Sequence, residues 1–316
     1  MRVDVHQHLW TEPLVEELSA RWEFPFIRRE SGLAVLYLAD ERPYVIDLSS
    51  EQPSRRAELV GHDGLDRALL CLSSPLGIEG LSREQAVPLL DAYHEGALAL
   101  GEPFGVWGAI PLADPDPGDV DVLLARGCVG LSLPAGAISS LAGLSRLAGV
   151  LERLACAGAP LLVHSGPGRV TGVGACQREL CLSEPLWWPA MTRYVSGMQE
   201  AWLAFVGAGR AAHPHLRVIF TMLAGLAPLH GDRLRARGGP ELSEHDPLLF
   251  YDSSSYGAQT ARMVTALAPS QLLYGSDRPV VEPAELGMPA GMDWDSVAGA
   301  TARALSGAAV ADAVAR

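Results

Sequence analysis

No stretch of this sequence stays apolar for the roughly 18 residues that a membrane-spanning helix needs, so a bilayer-crossing helix is not expected. The N-terminus enters a strand-like run directly, without the basic-then-apolar pattern of a secretion signal. Cysteine is sparse: Cys71, Cys128, Cys156, Cys176 and Cys181 are odd in number, and no two form a CxxC. Free thiols in a reducing, cytoplasmic compartment are the expectation. Cys176 and Cys181 lie close together in a loop-like stretch, where two incidental thiols explain them better than a metal site does. Basic residues are outnumbered, with 24 Lys and Arg against 37 Asp and Glu and a formal net charge of −13. An acidic surface repels phosphate backbones and anionic headgroups, so neither nucleic acid nor membrane is expected as a partner. Aromatic residues make up only 6% of the chain, so close packing of the abundant Gly and Ala must supply much of the core. There is no internal repeat and no low-complexity tract.

The remaining composition is that of a folded domain. Of 316 residues, 48% are apolar and 19% charged, enough for a large core and against general disorder. Short apolar runs recur at Val3–Val5, Asp66–Leu72, Phe104–Ile110, Gly127–Leu133, Pro160–His164, Leu216–Met222, Leu248–Asp252 and Gln271–Gly275. Several are apolar at consecutive positions, as strands buried on both faces are in a parallel sheet. Amphipathic segments alternate with them at Arg83–Leu100, Val120–Ala125, Leu141–Ala157, Gln199–Ala212 and Leu229–Arg237. Eight buried strands alternating with helices predict one α/β domain over residues 1–316, a (β/α)8 TIM-type barrel. The absence of a GxGxxG turn after the first strand lowers the alternative of an open doubly wound sheet. Leu33–Asp47 reads as a β-hairpin inserted after the first strand, with Asp40–Arg42 near its turn. Ser165–Val195 reads as a long loop after the fifth strand, overhanging the barrel mouth. The Ala-rich run Val297–Val314 reads as a closing helix.

Four residues carry the chemistry. His6 and His8 stand two apart at the end of the first strand, so their imidazoles point to one side and can reach one ion. Asp4, just before them, could orient them. His164 ends the run PLLVH, and Asp277 follows a buried strand in LLYGSDRP. Taken singly, each has an ordinary structural explanation: a core histidine pair, a strand cap, a carboxylate paired with an arginine. Together all four fall at C-terminal strand ends, which converge in a barrel. Three imidazole nitrogens and one carboxylate suit zinc, manganese, iron(II) or nickel.

The chain resembles the amidohydrolase superfamily, in particular the amidohydrolase-2 group that includes aminocarboxymuconate-semialdehyde decarboxylase-like enzymes. The matching segments are DVHQH at Asp4–His8, LLVHSGP at Leu161–Pro167, HPHLRVIFTMLAGLAP at His213–Pro228 and LLYGSDRP at Leu272–Pro279, in an order that covers nearly the whole chain. The resemblance implies that His6, His8, His164 and Asp277 ligate a catalytic metal, usually zinc. It also implies hydrolysis of C–N or C–O bonds, or loss of a carboxylate without an organic cofactor. One position departs from the pattern. The family's sixth strand usually ends in a histidine followed by a small residue and Gly-Gly, whereas this chain has Met222 there, then Leu223-Ala224-Gly225. A thioether neither gives nor takes a proton near neutral pH. In one reading the metal acts alone on bound water; in a second, His230 or a loop residue replaces the base; in a third, hydrolysis is lost.

Three functions therefore stand at this point. The leading one is a metal-dependent hydrolase of a small carboxylate-bearing or cyclic substrate, with Asp277 as both ligand and catalytic proton carrier. The alternatives are a nonoxidative decarboxylase of an unsaturated or aromatic acid, and a catalytically degenerate ligand-binding barrel. Substrate-binding candidates are Trp187 and Trp188 as walls, Arg278 as a carboxylate clamp and Met222 in the pocket, with Arg169 and Arg178 less favoured. Asp252 and Tyr256, after the seventh strand, are further mouth candidates. His213, His215 and His245 read as solvent-exposed structural residues away from the mouth. A homodimer is the default assembly for such barrels.

Overall fold

A computed structural model of the chain describes residues 1–30, 33–39, 41–168, 184–185, 187–239, 246–268, 270–288 and 290–306. The expectations for Asp40, Arg169, Arg178, Cys176, Cys181, His245 and most of the loop after the fifth barrel strand fall outside them. So does the end of the closing helix, which is described as Trp294–Leu305.

Eleven strands are described: β1 Val3–Gln7, β2 Phe26–Glu30, β3 Leu33–Tyr37, β4 Tyr44–Ile46, β5 Arg67–Leu70, β6 Phe104–Gly108, β7 Gly130–Pro134, β8 Leu161–His164, β9 Val218–Phe220, β10 Leu249–Asp252 and β11 Leu272–Leu273. Eight of them form one sheet in the order β1-β5-β6-β7-β8-β9-β10-β11, and the adjacent pairs are parallel. Backbone hydrogen bonds from Val5 N to Tyr274 O and from Asp277 N to His6 O join the last strand to the first. The sheet is a (β/α)8 barrel, as its buried, non-alternating strands require.

The core has two shells. Val3, Val5, Leu69, Cys71, Trp107, Val129, Leu162, Ile219, Phe250 and Leu273 pack together inside, with Ala300, Ala304 and Leu305 of the last helix. The larger cluster lies between the strands and the outer helices, among them Arg83–Leu98, Pro117–Ala125 and Ala148–Cys156. Gly130 belongs to the inner packing: a Cβ there would stand 2.8 Å from the Trp107 ring and 2.3 Å from Pro160 O.

The insertion is larger than the hairpin read from the sequence. β3 pairs with β4 as expected, but β2 joins on the other side to make a three-stranded antiparallel sheet. It also follows the helix Glu12–Ala20 rather than β1 directly. In β2, FIRRE lacks the apolar run that marks the barrel strands; pairing with β3 makes it a strand. The single helix expected over Leu141–Ala157 is two, Leu141–Arg146 and Ala148–Cys156. No helix among the described residues is long and apolar enough to cross a membrane.

Candidate metal centre

The expected residues meet because inward-facing positions alternate along each strand. Leu162 and His164 share one face of β8, and Phe250 and Asp252 share one face of β10. Leu162 and Phe250 belong to the inner core, so His164 and Asp252 stand in the layer above them, at the mouth. β1 differs. Val3 and Val5 belong to the inner core, so strict alternation would turn His6 and His8 away. The register of β1 against β5 shifts between Asp4 and Gln7. Such an irregularity re-aims the side chains beyond it, and both histidines join the cluster.

His6, His8 and His164 are 1%, 4% and 3% exposed, and their ring centroids lie 4.8–5.1 Å apart. His164 Nε2 is 3.2 Å from His8 Nε2. Asp277 Oδ1 is 3.3 Å from His8 Nε2 and 3.6 Å from His6 Nε2. The other nitrogen of each ring points at an acceptor. His6 Nδ1 donates to Asp252 Oδ2 at 2.9 Å, His8 Nδ1 to Cys71 O at 2.9 Å and His164 Nδ1 to Ser165 O at 2.6 Å. Carboxylates and carbonyls only accept, so Nδ1 carries the hydrogen in each ring and the neutral ring presents an Nε2 lone pair inward. This is the outer support typical of metal-bound histidines.

The donor set fits a metal ion. His6 Nε2 is buried without a hydrogen-bond partner, and His8 Nε2 and His164 Nε2 face each other at 3.2 Å, a spacing that a shared proton or a bound metal ion can each satisfy. A tetrahedral ion with bonds of about 2.0–2.1 Å holds its ligand atoms roughly 3.3–3.4 Å apart. The three separations, 3.2, 3.3 and 3.6 Å, bracket that value. His6, His8 and His164, with Cys71, form a group able to hold a metal ion. Cys71 escaped the sequence reading, although its spacing from Leu69 on one strand face was there to be read.

The charges respond to one another. Burial opposes protonation of His6, but the Cys71 sulfur and Asp252 outweigh it and hold its pKa well above the usual value. His8, likewise buried, is pushed up to about 9 by Cys71 and Asp277. His164 lies well below the ordinary value, through burial and the charges of His6 and His8. Burial pushes Asp277 up, but the hydrogen bond from His8 and the three imidazoles more than offset it, so it stays ionised. Burial also raises the Cys71 thiol, and the two first-strand histidines bring it below its usual range.

A supporting network fixes these side chains. Asp252 Oδ1 accepts from Met222 N at 3.0 Å and Ser254 N at 2.9 Å. Asp4 Oδ1 accepts from His6 N and Ser276 N, both at 3.0 Å, tying β1 to the segment that carries Asp277. Ser255 Oγ donates to Asp277 Oδ2 at 2.8 Å. Met222, Leu223, Ala224, Gly225 and Leu226 all have φ between 50° and 64°, a left-handed turn that L-residues resist. Gly225 is the only glycine among these five.

The remaining expected residues are placed as follows. Met222 is 8% exposed and belongs to neither apolar cluster. Arg278 is buried, with Nη1 2.7 Å from Asp63 and Nη2 2.7 Å from Glu282, outside the histidine cluster. Trp187 and Trp188 are 58% and 42% exposed, their rings 5.6 Å apart. Tyr44, on the inserted sheet, was not anticipated. Burial, Glu51 and Asp277 push its phenol up.

Solved structures share this (β/α)8 barrel fold. IDCase from Metarhizium anisopliae, in its apo form, is 17% identical with a TM-score of 0.72, over 99% of this chain and 93% of that one. 5-Carboxyvanillate decarboxylase from Sphingomonas paucimobilis is 15% identical with a TM-score of 0.65, over 96% and 98%. A variant of 5-carboxyvanillate decarboxylase from Novosphingobium aromaticivorans, with bound manganese and 3-methoxy-4-hydroxy-5-nitrobenzoic acid, is 12% identical with a TM-score of 0.67, over 95% and 94%. At such identities the likeness establishes the fold. No protein-family model and no curated protein sequence matches the chain.

Proposed function

We propose that this chain is a metal-dependent carboxy-lyase of the amidohydrolase-2 type, removing CO2 from a small unsaturated or aromatic acid. His6, His8, His164 and Asp277 would hold one divalent ion, zinc by preference of the donor set. The observation that carries this reading is the convergence of three Nε2 atoms and Asp277 Oδ1, with every Nδ1 bound elsewhere. An ion bound there would hold the substrate carboxylate or a neighbouring hydroxyl and draw charge toward itself.

The side chains supply the rest. Loss of CO2 leaves an electron pair on carbon, which must take up one proton. Asp277 is the carboxylate at the centre; held ionised, it would first take one proton from water and then deliver it to that carbon, and we assign it this relay; Ser255 steadies its second oxygen. Met222 favours decarboxylation over hydrolysis, because a thioether cannot activate water where the resembled family keeps a histidine. The decarboxylases among the structural neighbours support the same choice. Hydrolysis is the second reading, favoured by the ionised state of Asp277, which suits it to take a proton from water. The intact ligand set speaks against a degenerate binding barrel.

The test is turnover of the zinc- or manganese-loaded protein on hydroxybenzoic and enoic acids, followed by CO2 release, beside a panel of lactones, amides and esters. CO2 release that disappears in Asp277→Asn supports the carboxy-lyase. Hydrolysis without CO2 release overturns it in favour of the second reading.

A further inference from the structure

Cys71 lies at the mouth end of β5, one residue beyond the strand, and shares the inner core with Leu69. Alternation along the strand therefore aims it into the layer that His164 and Asp252 occupy. Its Sγ is 3.6 Å from His8 Nδ1, and it lies within 4.8 Å of a ring nitrogen of each of the three histidines. The sulfur is 2% exposed with its residue, so no solvent competes for it. Beside it, His6 Nε2 is buried, faces the same centre and has no hydrogen-bond partner.

We propose that Cys71 is a further ligand of the centre, binding the ion through its thiolate sulfur. This rests on the four-residue centre described under the proposed function. On ligation the S–H bond breaks, its proton leaves to solvent and an S–metal bond forms, with no change of oxidation state. With Asp277, the thiolate brings two negative charges to a dication and so balances it within a buried site. The consequence is selectivity. A soft thiolate favours zinc, cobalt or cadmium over manganese and magnesium, which prefer oxygen donors. The centre is thereby set toward zinc-like ions, unlike the manganese-bound structural neighbour. A buried cysteine acting only as a small apolar filler is the competing role, and it predicts no metal-dependent signal from sulfur.

The probe is cobalt(II) alone, titrated into metal-free wild type, Cys71→Ser and Cys71→Ala and followed by absorption. Visible ligand-field bands report ions held by nitrogen and oxygen donors, and a near-ultraviolet charge-transfer band reports a thiolate–cobalt bond. The expected result is both bands in wild type and only the visible bands in the two variants. Cadmium affinity should fall at least roughly tenfold more than manganese affinity in Cys71→Ser. Visible bands without a Cys71-dependent charge-transfer band overturn the thiolate ligand and leave the four-residue centre standing. No visible bands in wild type overturn the centre itself.

Discussion

Asp252 shows how much of the site rests on one side chain. Its Oδ2 fixes the His6 proton on Nδ1, and its Oδ1 holds the backbone of the turn at Met222. In Asp252→Asn, an amide nitrogen can face His6 Nδ1, which then becomes an acceptor and moves the proton to Nε2, the atom a metal needs. Metal affinity should fall about 10–100-fold, as it does when such supporting partners are lost; unchanged affinity by calorimetry contradicts the tautomer argument. Glu79 makes a separate prediction. It is 1% exposed, its Oε1 accepts from Ser74 Oγ at 2.7 Å, its Oε2 has no partner, and burial pushes its pKa from 4.5 up to about 7. The folded protein therefore binds this proton more tightly than the unfolded chain does. The resulting stability is complete below about pH 4.5 and is lost as pH rises through about 7. Glu79→Gln removes that loss and should gain on the order of 3 kcal/mol over wild type between pH 4.5 and pH 8. Parallel denaturation curves at the two pH values argue against a neutral Glu79.

Two elements decide whether the chemistry can assemble. One is the shifted register of β1, which turns His6 and His8 inward. The sequence shows HxH, but it does not show that the two preceding valines already take the inward places. The other is the left-handed turn Met222–Leu226. Its non-glycine residues cost on the order of 1–2 kcal/mol each in this conformation. Asp252 and Ser254 offset part of that by binding Met222 N. If Met222 belongs to a carboxy-lyase pocket, Met222→His should lower CO2 release without creating hydrolysis. A gain of about 10²–10⁴ in hydrolytic rate, the usual contribution of a general base, points instead to a hydrolase that has lost one. The barrel strands were legible because burial on both faces writes them as unbroken apolar runs, and His164 and Asp277 were legible as polar residues ending such runs. Strand β2 was not, because FIRRE gains its identity from pairing with β3. Cys71 was passed over because its neighbours in DRALLCL are apolar and it reads as part of the core; strand alternation alone marks it as facing the mouth. Arg278 read as a substrate clamp because it follows Asp277, and only the fold brings Asp63 and Glu282 to its guanidinium.

For the whole molecule, the centre links metal, protons and stability. Without a metal, His6 and His8 hold protons more tightly than in the unfolded chain, His8 up to about pH 9. That stabilisation is present below pH 6.5 and is lost as pH rises toward 9. An ion displaces those protons, so its affinity rises over the same range. The increase in melting temperature on adding zinc should therefore be larger at pH 8.5 than at pH 6, and a shift independent of pH contradicts proton–metal competition at the histidines. The central claim is that four distant residues share one ion, and elemental analysis of the purified protein tests it most directly. About one equivalent of a transition metal in wild type, lost in His6→Ala/His8→Ala while the circular dichroism of the fold persists, is the predicted result. A wild-type protein that takes up no metal after incubation with zinc or manganese, or a double variant that keeps its full equivalent, contradicts it.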